Sequence, residues 1–318
     1  MVIKTTFLVL PLLFSMASTT IIYSNTACVS DNLDPCKRHP RFEQSVWCEN
    51  INDMKTFIRV LRCSSRRNMQ EVFLEKSSLD FLPLYILDFC GFLVLNVKSV
   101  TLSKLLEGNV LVRLEQLKLD DVLFRDSWSW EPLSVLRHLL EFSVANMEVT
   151  HLDGNLSDHL NENLRSLTLK STSTNIVRSE ALTKFTELKH FSMENNHITE
   201  LKRSMFPIPA KIKFLYLGRN KLTSLPDDIF DEMPYLERVG LEGNLISEIH
   251  SRTFEPVWNN LDVLLLEGNP LKCHCKLLWL AKKKSPDVFT GECFAPKVKY
   301  GKSLKSLTSH DFRCFLKH

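Results

Sequence analysis

The residues with the clearest chemical potential are cysteines near the end of the sequence. They are arranged as Cys273-His274-Cys275, followed by Cys293 and Cys314. Cysteine and histidine can bind zinc, but zinc ribbons space their cysteines as C-x2-C, whereas this chain has C-x-C. Together with the export signal predicted below, this spacing favours disulfides formed in an oxidising compartment. We therefore predict disulfides here and no metal site.

Motifs for catalysis are missing from the sequence. It contains no G-x-S-x-G, no H-E-x-x-H, no Walker loop and no dinucleotide fingerprint. Several histidines are spread through the middle of the chain rather than grouped: His138, His151, His159, His190 and His197. Scattered surface histidines need no metal to explain them. We predict a non-enzymatic protein without a cofactor.

The first residues predict export from the cell. Lys4 precedes an apolar stretch over residues 7–16, and small and polar residues follow, which is the pattern of a signal peptide. The apolar stretch is shorter than the roughly 20 residues that a membrane-spanning helix needs. We expect a signal peptide at residues 1–24, cleaved between 17 and 27, and a secreted mature protein without a membrane anchor.

An internal repeat dominates the middle of the chain. Segments that start at Leu188, Ile212, Leu236 and Leu261 all fit L-x-x-L-x-L-x-x-N-x-L. A phenylalanine recurs in step with these starts: Phe206, Phe230 and Phe254. Two markers that keep the same period, about 24 residues, are the signature of a repeat architecture.

Five earlier segments keep the apolar positions but lack the asparagine; they start at Met69, Phe92, Leu114, Leu139 and Leu164. The alternating x-L-x-L-x residues predict a short strand, followed by an irregular or short helical return. One unit cannot bury its own apolar face, so neighbouring units must stack. We predict an α/β fold, a right-handed solenoid or horseshoe of about nine repeats over residues 69–271, with a parallel sheet on its concave face. Cysteine-bearing caps are expected at residues 28–68 and 272–318.

The pattern resembles that of extracellular leucine-rich-repeat proteins, the family of Slit-like modules, Toll ectodomains and small leucine-rich proteoglycans. The resemblance covers about residues 28–314. NPLKCHCKLLWL with the two later cysteines is similar to the family's C-terminal cap, which implies disulfides between Cys273 and Cys293 and between Cys275 and Cys314. The layout is also similar to the leucine-rich non-catalytic subunit of arthropod luciferin monooxygenases, which implies an accessory role beside a partner.

The family resemblance also gives a role to four asparagines that follow the predicted strands: Asn196, Asn220, Asn244 and Asn269. In such proteins the side-chain amides form a ladder bonded to buried backbone groups. Losing one rung should cost about 1–3 kcal/mol, as for other unsatisfied buried groups. Thr172 takes the asparagine position in the repeat before the ladder. We interpret the four asparagines as structural.

The N-terminal cap departs from the family pattern, because it keeps three of the usual four cysteines and lacks the C-x-C. A disulfide between Cys36 and Cys48 is compatible with the resemblance, and Cys28 would then pair with Cys63 or Cys90. Five cysteines leave one over. We expect the remaining one, with Cys90 the best candidate, to be buried and inert rather than bonded to another chain.

Exposed strand positions in this architecture face the concave side, a surface suited to macromolecules. The repeat frame places these residues there: Lys118, Asp120, Glu141, Lys170, His190, Glu194, Phe214, Tyr216, Arg238, Glu242 and Glu267. Aromatic residues and arginine are typical anchors of protein interfaces. We predict a binding patch of Phe214, Tyr216 and Arg238, with His190, Glu194 and Glu242 as further candidates. The alternative is that Phe214 only covers its neighbour across the sheet.

Basic residues are concentrated at the end of the sequence. From Leu271 to His318 there are 11 Lys and Arg against 3 Asp and Glu, a balance of +8, although the whole chain carries only +3. The candidate basic patch consists of Lys282, Lys283, Lys284, Lys297 and Lys299. Such a patch suits a sulfated glycan, and the alternative is a solvated cap surface. Asn155-Leu156-Ser157 is the one glycosylation sequon and is expected on an exposed arm.

These features predict a secreted binding module that recognises an extracellular protein or glycan through its concave face. Nucleic acid is a poor partner for an exported chain. The second hypothesis is a structural or accessory subunit that stabilises a partner polypeptide. An accessory subunit would co-purify at a fixed ratio, whereas a recognition module would be found free.

Overall fold

A computed structural model of the chain describes residues 33–65, 68–107, 112–126 and 128–312. The predicted signal peptide, Cys28 and Cys314 lie outside these residues. All described residues belong to one compact unit. Within the described ranges, no helix combines the length and the apolar character that crossing a bilayer requires.

Short strands make up most of the regular structure. The described strands are β1 Lys37–Arg38, β2 Ser45–Glu49, β3 Glu71–Glu75, β4 Ser78–Leu79, β5 Val94–Lys98, β6 Thr101–Leu102, β7 Gln116–Asp120, β8 Leu123–Phe124, β9 Glu141–Ala145, β10 His151–Leu152, β11 Ser166–Lys170, β12 Ile176–Val177, β13 His190–Ser192, β14 Phe214–Tyr216, β15 Arg238–Gly240, β16 Val263–Leu265 and β17 Val288–Phe289. The described helices are α1 Met54–Ser65, α2 Leu84–Phe89, α3 Gly154–His159 and α4 Ser251–Phe254. Further returns are single 3-10 turns, such as Arg203–Met205 and Trp258–Asn260.

The main sheet contains 12 strands in the order β1-β2-β3-β5-β7-β9-β11-β13-β14-β15-β16-β17. Every neighbouring pair is parallel except β1 and β2, which run antiparallel. Each predicted repeat start lies two residues before one of these strands, as Ile212 does before Phe214. The caps add β2 and β17 at the two ends. The predicted parallel solenoid is therefore confirmed.

The core lies directly behind this sheet. Alternate strand residues point into it, so Leu215 and Leu217 are buried while Phe214 and Tyr216 stay half-exposed on the concave face. The recurring phenylalanines form a second buried row: Phe206, Phe230 and Phe254. Two neighbours in this row touch, since the ring centroids of Phe230 and Phe254 are 5.3 Å apart. Each repeat thus completes the core of its neighbour.

The asparagines form a continuous hydrogen-bonded ladder. Asn220 Nδ2 donates to the carbonyls of Met193 at 2.8 Å and Leu217 at 3.0 Å, and its Oδ1 accepts from the Ile198 amide at 3.1 Å. Three further residues make equivalent bonds to the backbone: Asn196, Asn244 and Asn269. Thr172 joins the ladder by donating through its amide and hydroxyl to Asn196 Oδ1. All four asparagines are buried, so each amide satisfies backbone groups that water cannot reach.

The N-terminal cap carries the first disulfide, Cys36–Cys48, between the start of β1 and the end of β2. Cys63 on α1 is also disulfide-bonded. Cys90 lies at the end of α2 with 8% of its surface exposed. The prediction that Cys28 pairs with Cys63 or Cys90 concerns a cysteine outside the described residues.

The C-terminal cap is held by a disulfide and by stacked rings. Cys273 is bonded to Cys293, and Cys275 is disulfide-bonded as well, so neither sulfur is a thiolate available to zinc. Trp258 lies at the centre of an aromatic cluster that joins the last repeat to this cap. Its ring is 4.8 Å from that of Trp279 and 6.0 Å from that of Phe289, both edge-on.

Candidate functional site

Strands β13, β14 and β15 carry the predicted concave patch. Their register places His190 beside Phe214 and Phe214 beside Arg238, while Tyr216 stands in the next row. Parallel neighbours lie about 4.8 Å apart, so residues of one row on the same face come into contact. The repeat period therefore positions side chains that are 24 residues apart in the sequence as direct neighbours.

The four side chains form one connected surface. The Arg238 guanidinium carbon lies 5.2 Å from the Phe214 ring centre, in the geometry of a cation–π contact. The His190 ring lies 6.4 Å from Phe214 and 5.7 Å from Tyr216, edge-on to both. We name this set the concave patch: His190, Phe214, Tyr216 and Arg238. The structure shows that Phe214 is in contact with its neighbours across the sheet and is also accessible from solvent.

The concave patch lines a shallow depression of about 510 Å³, whose other walls are Glu141, Arg165, Ser166 and Lys189. The Ser166 hydroxyl is hydrogen-bonded to His190 Nδ1 at 3.0 Å. Burial lowers the pKa of His190 below its ordinary value, against the opposing effect of two nearby glutamates, so the folded state favours the neutral imidazole. The charged groups at the rim of the depression are then three cations, those of Arg165, Lys189 and Arg238, and one carboxylate, that of Glu141.

A row of glutamates lies next to the concave patch, formed by Glu194, Glu242 and Glu267. A Cβ atom at Gly218 would collide with the Glu242 carboxylate, so the missing side chain lets Glu242 fold down onto the strand. Glu242 Oε2 is buried and has no hydrogen-bond partner among the described residues. Burial first, and then repulsion from the other two glutamates, raise the pKa of Glu242. The ionised form of Glu242 is therefore disfavoured in the folded state.

We expect Glu242→Gln to stabilise the protein at neutral pH. Because the folded-state pKa of Glu242 is raised, ionising this carboxyl costs stability as the pH rises above its ordinary value of 4.5. Glutamine keeps the shape and cannot ionise. The melting temperature of the variant should exceed that of the parent at pH 7, and the difference should shrink at pH 4. An equal difference at both pH values would contradict the proposed cause, and Glu200→Gln, at an exposed position, is the control.

The predicted basic residues do not form one uniform surface. Lys282, Lys283, Lys284 and Lys297 are exposed, and none makes an ion pair with a described residue. Lys299 instead turns into the cap, where its Nζ donates to the Cys273 carbonyl at 2.7 Å and lies 4.4 Å from the Phe312 ring centre. Burial lowers the pKa of Lys299. Lys299 therefore has contacts that hold the cap together.

Asn155 lies on the short helix α3 and is exposed. Its backbone amide donates to the side chain of Asp153, the N-cap residue of that helix, at 3.0 Å. The position is accessible, as a glycosylation site requires, and its modification stays a prediction.

Two features of the concave face were not predicted from the sequence. Arg165 and Lys189 reach the rim of the depression from the positions directly before β11 and β13. The prediction considered only strand positions, so it left these two residues out. An aromatic cluster also covers the N-terminal end of the face. The Phe73 ring lies 5.7 Å from Phe42 and 4.5 Å from His39. Phe73 belongs to the repeat that starts at Met69, so the repeat frame could have placed it on this face, whereas its register partner Trp47 lies in the cap outside that frame.

No group of three or more His, Cys, Asp or Glu side chains is arranged to hold a metal ion in the part of the chain that the structure describes. The concave face presents an aromatic and cationic depression beside an acidic row.

Comparisons with known proteins agree with this architecture. The family model for the leucine rich repeat matches residues 210–271. Mouse trophoblast glycoprotein is 28% identical over 134 residues, which are 40% of this chain and 31% of that protein. Mouse nephrocan is 27% identical over 146 residues, 45% of this chain and 28% of that protein. The chain thus spans about a third or less of the length of these relatives.

Solved structures show the same fold. A chain of the octameric complex of latrophilin 3, Unc5D and the leucine-rich repeats of FLRT2 superposes with a TM-score of 0.56 at 16% identity, covering 86% of this chain and 97% of that one. An internalin from Listeria monocytogenes gives a TM-score of 0.51 at 18% identity, covering 76% and 72% of the two chains.

The stacked parallel units, the buried amide ladder and the capped ends define a repeat solenoid. Together with the leucine rich repeat match over residues 210–271 and the solved structures, they show that this chain has the leucine-rich-repeat fold. The resemblance to a luciferin monooxygenase subunit finds no support among the relatives described above.

Proposed function

We propose that this protein is a secreted, non-enzymatic binding module that recognises an extracellular protein through the concave patch. The observation that carries this proposal is the contact of three rings and a guanidinium across β13, β14 and β15, at the wall of one open depression. Interface hot spots are enriched in such residues. The neighbouring complex that contains the leucine-rich repeats of FLRT2 is an assembly of several proteins, which is consistent with protein recognition.

Secretion is supported by the cysteines. Disulfides at both ends of the solenoid persist in oxidising compartments and are rare in the cytosol. The charge around the depression further favours a partner with an acidic or aromatic contact residue, because Arg165, Lys189 and Arg238 outnumber Glu141 at its rim.

The test is a binding screen of the purified chain against a panel of extracellular domains, repeated with a triple variant. We expect Phe214→Ala, Tyr216→Ala and Arg238→Ala together to weaken binding of the true partner by roughly 30-fold or more, as for hot-spot residues. The matched control is Gln116→Ala, Lys118→Ala and Thr168→Ala, which lies on the same face outside the patch and should leave affinity unchanged. A partner that binds the parent and the triple variant equally would refute the patch.

The accessory-subunit hypothesis has a separate readout. Light scattering during size-exclusion chromatography of the native protein should show a free chain if it is a recognition module. A stable complex of fixed ratio would favour the accessory role instead.

Sulfated glycan is the second candidate ligand, supported by the exposed ammonium groups of Lys282, Lys283 and Lys284, which form no ion pair with a described residue. We expect the parent to be retained on heparin and released only above physiological salt, since such binding is screened by ions. Changing these three lysines to glutamate should abolish retention. The control changes three exposed lysines elsewhere to glutamate: Lys118, Lys170 and Lys221. Parent protein that flows through at low salt would rule out the glycan.

A further inference from the structure

A break in the secondary sheets opens a groove just beyond the ends of the main strands β9 and β11, where Asn146 and Ser171 line it. Short strands there form one sheet of β4, β6 and β8 and a second of β10 and β12. The two sheets do not join within the described residues. β8 and β10 nevertheless belong to consecutive repeats, whose main strands β7 and β9 are paired along their full length.

The break follows from a change in the turn between strands. In the first repeats the short strand begins three residues after the main strand ends, as from Asp120 to Leu123. In the next repeats it begins six residues after, as from Ala145 to His151. The position taken by asparagine in the later repeats is held by Val122 where the connection is short and by Thr172 where it is long. This shift of three residues keeps β10 from pairing with β8 as the next strand of the same sheet.

Both sheets therefore present an open strand edge to the groove. β8 bonds to β6 through the amides of Leu123 and Arg125. Alternate backbone groups face opposite sides of a strand, which directs the Phe124 amide and the Val122 and Phe124 carbonyls toward β10. β10 likewise uses the Thr150 and Leu152 carbonyls toward β12, so the His151 amide and carbonyl face β8. No backbone hydrogen bond to these groove-facing groups occurs among the described residues.

The groove between the edges has an apolar floor. Its volume is about 830 Å³, and we name it the β8–β10 groove, lined by Val122, Leu123, Phe124, Asp126, Trp128, Trp130, Asn146, Met147, Glu148, Val149, Thr150, His151, Ser171 and Ser173. The Trp128 ring is 5.4 Å from Phe124 and 5.3 Å from Trp130, which makes a continuous aromatic wall. Leu123 stands at the rim with 65% of its surface exposed.

The charge of the groove is negative. Asp126 and Glu148 are exposed at its rim, and neither forms an ion pair with a described residue. The lining contains no lysine or arginine. An extended chain that carries a cation next to a large apolar residue would complement both the rim and the floor.

We propose that the β8–β10 groove binds an extended peptide segment of a partner protein by strand addition. The segment pairs its backbone with the open edges of β8 and β10. It places a large apolar side chain against Trp128 and Met147 and an adjacent Lys or Arg beside Asp126 and Glu148. This surface is separate from the concave patch, so the two could be engaged at once.

The test screens a display library of random 12-residue peptides for binding to the full chain. A selected peptide is then synthesised, and its affinity is measured by fluorescence polarisation. We expect selected peptides with an apolar residue next to Lys or Arg. Asp126→Lys with Glu148→Lys should weaken binding at least tenfold. His151→Ala and His151→Pro both lose the side chain, but only the proline variant also loses the groove-facing amide, so His151→Pro should bind several-fold more weakly than His151→Ala. Melting curves confirm that each variant is folded.

Hydrogen exchange separates strand addition from other binding modes. The peptide should slow exchange at the amides of Phe124 and His151, and it should leave the concave strands unchanged. Several results would overturn the proposal: peptides that bind the charge-reversed variant equally, protection confined to the concave face, or groove amides already protected in the free chain. Self-association that these same substitutions abolish would also overturn it, because a second copy would then be the occupant.

Discussion

Replacing Asn220 with alanine should lower the free energy of unfolding by about 3 kcal/mol. The amide connects three backbone groups, the carbonyls of Met193 and Leu217 and the amide of Ile198, all at hydrogen-bond distance. Asn220 is buried, so these groups cannot turn to water when the side chain is lost. Each unsatisfied buried group costs about 1–3 kcal/mol.

Urea denaturation followed by tryptophan fluorescence measures this effect. The matched control is Asn175→Ala, an exposed asparagine whose backbone amide donates to the Thr150 carbonyl, a bond that alanine keeps. This variant should change stability by less than about 0.5 kcal/mol. Similar losses for both variants would mean that the Asn220 amide is not a structural rung.

Trp258→Ala should destabilise the protein by about 3–5 kcal/mol, the range for deleting a large buried aromatic side chain. Trp258 is 4% exposed and lies between the last repeat and the C-terminal cap. Its ring contacts Trp279 and Phe289, and its indole N–H donates to the Lys284 carbonyl at 2.8 Å. Losing it removes both the packing and the hydrogen bond that hold the lysine run against the core.

Two measurements check the Trp258 prediction. Thermal unfolding should show the loss of stability, and trypsin should cleave the variant faster at the exposed lysines of residues 282–284. Trp258→Phe keeps most of the ring contacts and should lose only about 1–2 kcal/mol. Tyr235→Ala, at a position 54% exposed, is the control for removing an aromatic ring. Unchanged trypsin cleavage in Trp258→Ala would show that the cap does not depend on this ring.

The regular part of the fold could be predicted closely from the sequence. Periodic apolar residues and asparagines determine which side chains are buried, so the positions of Leu215 and Asn220 followed from the pattern. The neighbouring positions of Phe214 and Arg238 also followed, because the period fixes which residues become neighbours. The period of the apolar residues thus predicts both which side chains are buried and which repeats are neighbours.

Other features were outside the reach of the pattern. The break at the β8–β10 groove depends on turn length after the strands, where apolar periodicity says nothing. Glu242 is drawn down by the absence of a side chain at Gly218, a three-dimensional effect of a neighbouring repeat. Lys299 lies in a cap of single 3-10 turns without a period, so its contact with the Cys273 carbonyl had no sequence signal.

The amide ladder has a consequence for how the chain folds. It runs from Thr172 to Asn269, while Val100 and Val122 take its positions in earlier repeats. Folding of a solenoid can nucleate in any unit and propagate to its neighbours, and the ladder gives the units that contain it extra hydrogen bonds to form. We expect the folding nucleus at β13 to β16, with the N-terminal repeats adding later. The ribosome synthesises the N-terminal repeats first. Their apolar strands would therefore stay exposed until the repeats of the nucleus have been synthesised. Biosynthesis of this protein should therefore depend on chaperones that protect those early strands.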